Sequence, residues 1–213
     1  MGRGGRRDAQ RTAYKLCSLL LQYPDEELLA GRDELAAAAQ ALRCPGAERL
    51  RRFVSWWAAT PPLDLERHYV QVFDLTRRCG LYLTYYALGD RRERGQALVR
   101  LRVLYRECGL PQEGAELPDY LPVVLEFAAH APGREGEEVL RENRAALELV
   151  RLGLHEEDSP YADVLDALGE MLGAPAAADR ARAMRLAAEG PPQELVGLEP
   201  FAPPEVMPGE ATR

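Results

Sequence analysis

Residues 64–130 hold most of the aromatic residues of the chain and its densest periodic pattern of apolar positions. After Asp64, apolar, aromatic and small side chains recur at three- and four-residue steps, the spacing that places them on one face of an α-helix. These positions are Leu65, His68, Tyr69, Val72, Phe73 and Thr76. The intervening residues, such as Glu66 and Gln71, are polar. The pattern predicts an amphipathic helix over 64–76 that buries its apolar stripe.

Similar stripes predict helices along most of the chain. The breaks between them fall at Pro24, Pro45-Gly46, Thr60-Pro61-Pro62 and Gly109, residues that end helices or begin turns. The predicted helices cover about 8–21, 25–42, 47–59, 64–76, 81–88, 90–108, 118 or 122 onward, 135–154, 161–172 and 176–188. The sequence therefore predicts an all-α, single-domain helical bundle of about eight to ten helices in residues 8–189.

Two segments allow more than one structure. Residues 81–88 contain Leu, Tyr and Thr and could form a strand, but we predict a helix because no second strand is available to pair with it. The helix that follows Glu116 could begin at Pro118, which would force a kink at Pro122. It could equally begin at Pro122 after a shaped turn.

The two ends of the chain differ in composition from the helical part. Residues 1–7 are rich in Gly and Arg and are expected to be a disordered basic arm. Residues 190–213 hold six of the 16 prolines and are expected to form an extended Pro-rich tail, with Phe201 as its only aromatic residue.

Composition is typical of a globular protein. The chain has 213 residues, of which 46% are hydrophobic and 29% charged, enough for one domain with a sizeable core. It has no apolar run of about 20 residues, and residues 1–11 lack the apolar segment of a signal peptide. The cytoplasm is therefore the expected compartment.

Charge is unevenly distributed along the chain. Residues 1–109 have six more basic than acidic side chains, whereas residues 110–213 have thirteen more acidic than basic ones. Such a split could hold a basic peptide on the acidic part, or could simply reflect two solvated surfaces. The net charge of -7 argues against nucleic-acid binding, which requires a concentrated basic surface.

Motifs for catalysis or metal binding are absent from the sequence. The four cysteines Cys17, Cys44, Cys79 and Cys108 are far apart, form no C-x-x-C pair and are expected to be free thiols. No nucleotide-binding, zinc-protease or serine-hydrolase motif occurs. A dyad of Cys79 with His68 stays open, because such partners meet in space rather than in sequence. No bound cofactor and no enzymatic activity are expected.

Three sequence motifs resemble the NarJ-type family of nitrate reductase assembly chaperones, within the TorD-like group. They are H-Y-V-x-x-F-D from His68, L-Y-L-T-Y-Y-x-x-G-D-x-R-x-R-G-Q-A-L from Leu81, and E-L-P-D-Y-L-P-x-x-L-E-F from Glu116. The pair Tyr23-Pro24 followed by Asp25, after a Leu-rich helix, also fits the family.

The resemblance implies a chaperone that binds the N-terminal segment of the catalytic (alpha) subunit of nitrate reductase. It would keep that apo-subunit competent for molybdenum cofactor insertion and membrane assembly, as a monomer or weak homodimer. Helix-in-groove binding suits this task. The first and third motifs supply the candidate peptide-binding residues: His68, Tyr69, Phe73, Asp74, Asp119, Tyr120, Leu121 and Glu126.

Each candidate also has a structural explanation. Tyr69, Phe73 and Leu121 would suit the core, and Asp119 could be only a helix cap, whereas folding explains His68 and Asp74 least well. Two other functions stay open: a chaperone for another molybdoenzyme, and a helical DNA-binding regulator. The regulator would need a helix-turn-helix whose recognition helix is the basic segment 90–108.

Overall fold

The computed structural model describes residues 3–189 of the chain. Within that range it contains twelve α-helices, one π-helical turn and no strand. The helices are α1 (Arg3–Leu20), α2 (Glu26–Ala30), α3 (Arg32–Ala41), α4 (Ala47–Ala59), α5 (Pro62–Tyr69), α6 (Tyr85–Leu88), α7 (Arg92–Glu107), α8 (Leu121–His130), α9 (Glu135–Glu142), α10 (Arg144–Glu156), α11 (Ala162–Leu172) and α12 (Ala177–Glu189).

These helices pack around one core. Helix α1 lies against α8, α4 packs on α3 and α11, and α10 packs on α11 and α12. The largest fully buried side chains are Trp57, Tyr105, Tyr161 and Phe53. Burying such side chains stabilises the fold by roughly 1.5–3 kcal/mol each. The prediction of an all-α fold is confirmed.

Two predicted helices are each divided into two, which accounts for the larger number of helices. The segment predicted over 25–42 is interrupted at Gly31, which separates α2 from α3. The segment predicted over 135–154 is interrupted at Asn143, whose side-chain amide donates to the carbonyl of Val139 at 2.9 Å. Glycine is a poor helix former, and an Asn side chain competes for backbone hydrogen bonds, so both interruptions have a local cause.

Helix α1 begins before the position that the sequence suggested. Residues 3–7 are helical, whereas we expected a disordered arm over 1–7. Arg7 donates to the carbonyls of Pro132 and Gly133, and Arg11 donates to that of Ala131. These bonds tie the basic residues to the loop after α8 and explain why the helix continues towards the N-terminus.

The helix predicted over 64–76 is an α-helix followed by a π-helical turn. Helix α5 ends at Tyr69, and the turn covers Val70–Asp74. The amide of Leu75 then donates to the carbonyl of Val70 at 3.1 Å, the five-residue spacing of a π-helix. The predicted stripe is nonetheless buried at Leu65, Tyr69, Val72 and Phe73.

The helix predicted over 81–88 is wrong in its first half. Only Tyr85–Leu88 is helical, and Tyr82 instead forms an isolated antiparallel bridge with Tyr120. The amide of Leu83 donates to the carbonyl of Asp119 at 3.0 Å, and the amide of Leu121 donates to that of Leu81 at 2.8 Å. The extended residues find partners in a segment that the sequence pattern did not mark as a strand.

The start of α8 settles the choice between the two prolines. Helix α8 has Pro122 in its first turn, and Pro118 lies in the preceding turn. The residue that caps α8 is Tyr120, so Asp119 is not the cap that its position suggested. Gly109 ends α7 with a φ of 76°, as predicted, and the helix begins at Arg92, two residues after the predicted start at residue 90.

Two expectations remain, one on the C-terminal tail and one on membrane-spanning segments. The Pro-rich tail over 190–213 lies outside the described residues. Within residues 3–189, no helix is both long and apolar enough to cross a lipid bilayer.

Candidate peptide-binding groove

A groove of about 690 Å³ lies between α1, the loop after α7, and α8. We call it the α1–α8 groove. Helix α1 and the turn after it contribute Lys15, Ser18, Leu19 and Gln22. The end of α7 and the following loop contribute Tyr105, Leu110, Pro111, Gln112, Glu113 and Glu116. The start and face of α8 contribute Tyr120, Pro122, Val123, Glu126, Phe127 and His130.

The groove has apolar walls and an acidic rim. Leu19, Leu110, Val123 and Phe127 supply apolar surface from all three of its sides. At the rim, Glu113 is exposed and has no ion-pair partner within the described chain. A surface of this kind suits an amphipathic segment with apolar anchors and nearby basic residues.

One carboxylate links both helical walls at the rim. The Nζ of Lys15 on α1 lies 2.6 Å from Oε2 of Glu126 on α8, and Nε2 of His130 lies 3.2 Å from Oε1 of the same carboxylate. Deeper between the two helices, the hydroxyl of Ser18 donates to the carbonyl of Pro122 at 2.8 Å. The exposed ion pairs contribute little to stability, so Glu126 can exchange its partner at low cost.

Four of the candidates from the third motif lie at or beneath this groove. Tyr120 and Glu126 line it, whereas Leu121 is fully buried behind it. The carboxylate of Asp119 is also fully buried, and its Oδ2 accepts from the amide and the hydroxyl of Thr84 at 3.1 and 2.6 Å. Asp119 therefore holds the extended 81–84 segment against the start of α8.

Two candidates from the first motif line a second cleft of about 360 Å³, which we call the tyrosine cleft. Phe73 and Asp74 lie on one side of it, and Tyr82, Tyr85 and Arg94 lie opposite, among other residues. The guanidinium of Arg94 sits 5.5 Å from the ring centre of Tyr85, within cation–π distance.

Residues 116–120 separate this cleft from the α1–α8 groove. The hydroxyl of Tyr82 donates to Oε1 of Glu116 at 3.1 Å, and the ring centres of Tyr82 and Tyr120 are 5.3 Å apart. Burial, and then the neighbouring Glu116, raise the pKa of Tyr82 to about 12. Tyr82 is thus a neutral donor that joins the rims of the two cavities.

His68 lies in a third place, beside the loop after α10. Its Nε2 is 2.9 Å from the hydroxyl of Ser159, and its ring stacks on Tyr161 with 7° between the planes. The ring of Trp56 meets it edge-on at 5.5 Å. Partial burial lowers the pKa of His68, which favours the neutral form. The structure thus distributes these seven candidates over three locations, and the eighth, Tyr69, is buried with its hydroxyl 3.0 Å from that of Tyr120.

Several groove residues were not among the candidates, notably Lys15, Leu19, Val123 and Phe127. One of them is distinctive in the sequence, because Lys15 is the single lysine of the chain beside 26 arginines. The apolar groove residues are not distinctive, since their spacing on α1 and α8 is the same as that of core residues. Only the packing of α1 on α8 determines which of them face the groove.

The described residues contain no catalytic dyad at Cys79 and His68. Burial raises the pKa of the Cys79 thiol to about 12, so it is protonated at neutral pH, and His68 is bonded to Ser159 instead. All four cysteines are free, as predicted. Within residues 3–189, no group of three or more His, Cys, Asp or Glu side chains could hold a metal ion.

The helical fold and the apolar groove together define a class, that of the all-helical binding proteins. A solved structure of a redox enzyme maturation protein from Archaeoglobus fulgidus has the same fold, with a TM-score of 0.56 and 26% identity over 74% of this chain and 90% of that one. The family described as "Nitrate reductase delta subunit" matches residues 27–167. The chain therefore belongs to the nitrate reductase delta subunit family.

Individual relatives carry related names. The nitrate reductase molybdenum cofactor assembly chaperone NarJ of Escherichia coli is 35% identical over 72% of this chain and 66% of its own length. A probable chaperone of the same name from Bacillus subtilis is 34% identical over 75% of this chain and 87% of its length. The nitrate reductase-like protein NarX of Mycobacterium tuberculosis is 36% identical over 75% of this chain, which spans only 24% of NarX.

The family assignment can be compared with two predictions from the sequence. The resemblance to NarJ-type assembly chaperones is confirmed by the family match and by these relatives. Two of these relatives, those from Escherichia coli and Bacillus subtilis, are named assembly chaperones, in agreement with the prediction of a chaperone rather than an enzyme.

Proposed function

We propose that this chain binds the N-terminal segment of the catalytic subunit of a respiratory nitrate reductase in the α1–α8 groove. In the cytoplasm it would keep the apo-subunit competent for molybdenum cofactor insertion and membrane assembly. The chain itself binds no cofactor and acts as a monomer or weak homodimer. The observation that carries the proposal is an apolar groove with carboxylates on its rim, in a family of assembly chaperones.

The groove favours an amphipathic client segment with basic residues. Apolar client side chains would bury surface against Leu19, Val123 and Phe127, at roughly 25 cal/mol per Å². A client Arg or Lys would pair with Glu113, or join Lys15 at the carboxylate of Glu126. Because exposed ion pairs are worth about 0–1 kcal/mol, we expect the apolar contacts to supply most of the affinity.

The eight candidate residues then have different roles. Tyr120 and Glu126 would contact the client directly, because both line the groove. Asp119 and Leu121 would act indirectly, by fixing the start of α8 from buried positions. We assign Tyr69 the same supporting role, since it is buried and its hydroxyl lies 3.0 Å from that of Tyr120.

The other three candidates lie away from the groove. Phe73 is buried and supports the core, and His68 packs against Tyr161 and Ser159. Asp74 is exposed at the tyrosine cleft and is available to a basic residue of a longer client segment.

Lys15 offers a direct test of groove occupancy. An amine-reactive acylating reagent can modify a side chain only at Lys15, because the chain has no other lysine. A peptide copying about the first 15 residues of the catalytic subunit should slow acylation of Lys15, measured by mass spectrometry. Calorimetry with the same peptide should give a negative heat-capacity change and only modest weakening by salt.

Matched variants give the control. Val123→Asp places a charge in the groove and should weaken peptide binding at least tenfold. Leu152→Asp places the same charge at a side chain on α10 that is already 38% exposed, and should bind like the parent. Unchanged Lys15 acylation at saturating peptide, or equal weakening by both variants, would refute the groove assignment.

Binding measurements with other ligands distinguish this proposal from the two alternative functions, a different molybdoenzyme client and DNA binding. A peptide from another molybdoenzyme that binds more tightly than the nitrate reductase peptide would favour that client. The DNA-binding alternative has little support, because the helix before α7 has only four residues and cannot form the first helix of a helix-turn-helix. A salt-dependent shift of duplex DNA by the full chain would restore it.

A further inference from the structure

The outer face of α7 is an apolar strip between arginines. Arg92, Val99 and Arg106 are spaced by seven residues, about two helical turns, and so lie along one line of the helix. Val103 lies on the same face one turn after Val99. The exposed fractions of Val99 and Val103 are 60% and 42%, whereas Tyr105 on the opposite side is buried.

The arginines of this face have no acidic partner within the described chain. Helix α7 holds five arginines and two glutamates. Arg94 is paired with Asp90 and Asp119, but no described carboxylate lies within salt-bridge distance of Arg92 or Arg106. The same holds for Arg100 and Arg102 at the two edges of the face. This concentration of unpaired positive charge favours an acidic occupant.

Gly95 adds a second unusual feature to the face. It lies within α7, where glycine is the least favourable residue apart from proline. A Cβ added at Gly95 would meet no atom within 4 Å, so packing inside the protein does not require glycine there. The absent side chain leaves a shallow notch beside Arg92 and Val99, where another chain can approach the helix backbone.

The same polypeptide carries a segment with complementary chemistry. Residues 194–207 contain three glutamates, no lysine or arginine, and the apolar side chains Leu195, Val196, Leu198, Phe201, Val206 and Met207. The α1–α8 groove suits this segment poorly, because Glu113 and Glu116 at its rim would repel the glutamates. The outer face of α7 offers arginines around an apolar centre.

We propose that residues 194–207 dock on the outer face of α7, with apolar side chains on Val99 and Val103 and glutamates beside Arg92, Arg100, Arg102 and Arg106. This contact does not require a bound client. Its consequence for the groove is mechanical, because Tyr105 near the end of α7 and Leu110 just after it are groove walls.

Chain length and tethering permit the contact. Counted from Glu189, the end of α12, an extended chain spans up to about 17 Å to Glu194, about 40 Å to Phe201 and about 60 Å to Met207. A domain of this size has a radius of gyration of about 16 Å, so the later part of the segment, from Phe201 onward, can reach faces well away from the end of α12. A short tether gives an effective concentration near a millimolar, so a contact with a millimolar dissociation constant is about half occupied.

A photoreactive side chain on α7 tests the contact in the full-length chain. Benzoyl-phenylalanine would replace Val103 in one protein and Met184 in another. Met184 is 70% exposed and lies on α12, closer along the chain to the proposed segment. After illumination at about 1 µM, the Val103 protein should give an intramolecular adduct to residues 194–207 at least threefold more often than the Met184 protein. Equal yields, or a higher yield at Met184, would overturn the proposal.

Charge reversal tests the electrostatic part. Arg92→Glu with Arg106→Glu should lower the Val103 adduct at least threefold, and so should Glu194→Lys with Glu199→Lys and Glu205→Lys. All five changes together should restore it, whereas Glu210→Lys, outside the segment, should change little. Failure of the combined variant to recover would overturn the proposal.

Three other results would also contradict the proposal, because each would show a different occupant of the outer face of α7. Adducts between two copies of the chain would assign the face to a second copy, and an adduct between Val103 and the client peptide would assign it to the client. Cosedimentation with vesicles containing phosphatidylserine, without the intramolecular adduct, would assign it to an anionic lipid surface. The lipid outcome is the less favoured one, because two valines bury little apolar area in a membrane.

Discussion

The phenol oxygens of Tyr69 and Tyr120 lie 3.0 Å apart beneath the α1–α8 groove. Tyr69 donates to the carbonyl of Leu21 at 3.0 Å, so its oxygen is free to accept from Tyr120. Burial, and then the neighbouring phenol, raise the pKa of Tyr69, and burial raises that of Tyr120. Two neutral phenols therefore connect the end of α1, the end of α5 and the start of α8.

This hydrogen-bonded chain predicts unequal effects of two similar substitutions. Tyr120→Phe removes one donor and should lower the free energy of unfolding by about 1 kcal/mol. Tyr69→Phe also leaves the Leu21 carbonyl without its partner and should cost about 1–3 kcal/mol. Urea denaturation of both single variants and the double variant would measure the coupling, which we expect to be about 1 kcal/mol. Strict additivity would show that the two hydroxyls do not interact in solution.

Periodicity predicted most of the fold because the buried stripes are local in sequence. The helix predicted over 47–59 is found as Ala47–Ala59, and Gly109 ends α7 as expected. Residues 81–84 were mispredicted because their partner, the 119–121 segment, is more than 30 residues away and shows no strand pattern. Two short extended segments that pair only with each other produce no periodic pattern of apolar residues in the sequence.

The site was less accessible to sequence reasoning than the fold. The motif residues Tyr120 and Glu126 do line the groove, whereas Asp119 is buried and His68 lies elsewhere. A short motif mixes residues that touch a ligand with residues that hold the backbone in place. The two roles can be told apart only when burial is known, because a polar residue such as Asp119 can have either role.

His68 predicts a pH dependence of stability. An unfolded histidine has a pKa near 6.5, and burial lowers the pKa of His68 in the folded chain. Above about pH 6.5 both states are neutral at this position, and His68 contributes no pH dependence. As the pH falls below that value, the unfolded state binds the proton first, so stability is lost until the lower folded pKa is passed.

Substitution isolates this effect. The unfolding free energy of the parent should fall more steeply from pH 7 to pH 5 than that of His68→Gln, as measured by urea denaturation at each pH. The other two histidines are present in both proteins, so the difference between the profiles reports His68. Parallel profiles would mean that His68 is solvated in solution.

Two helical glycines should respond in opposite directions to alanine. A Cβ at Gly136 on α9 would lie 2.8 Å from the Cβ of Ala128 on α8, and still closer to its backbone. Gly136→Ala should therefore separate the two helices and cost about 1–3 kcal/mol or more. Gly95→Ala meets open space and should stabilise α7 by about 1 kcal/mol. Thermal denaturation of the two variants would measure both, and a stable Gly136→Ala protein would contradict the close approach of α8 and α9.

Asp119 provides the sharpest distinction between a client contact and a structural role. Its buried carboxylate accepts two hydrogen bonds from Thr84 and lies 3.6 Å from Nη2 of Arg94. Removing one partner of a buried ion pair typically costs about 3–5 kcal/mol, a large part of the roughly 5–15 kcal/mol that stabilises a domain. Asp119→Ala should therefore lower the melting temperature markedly. Asp74→Ala, at an exposed carboxylate, should change stability by no more than about 0.5 kcal/mol. If Asp119→Ala instead kept its melting temperature and lost client affinity, the carboxylate would have to reach the client, and the buried arrangement would not persist in the complex.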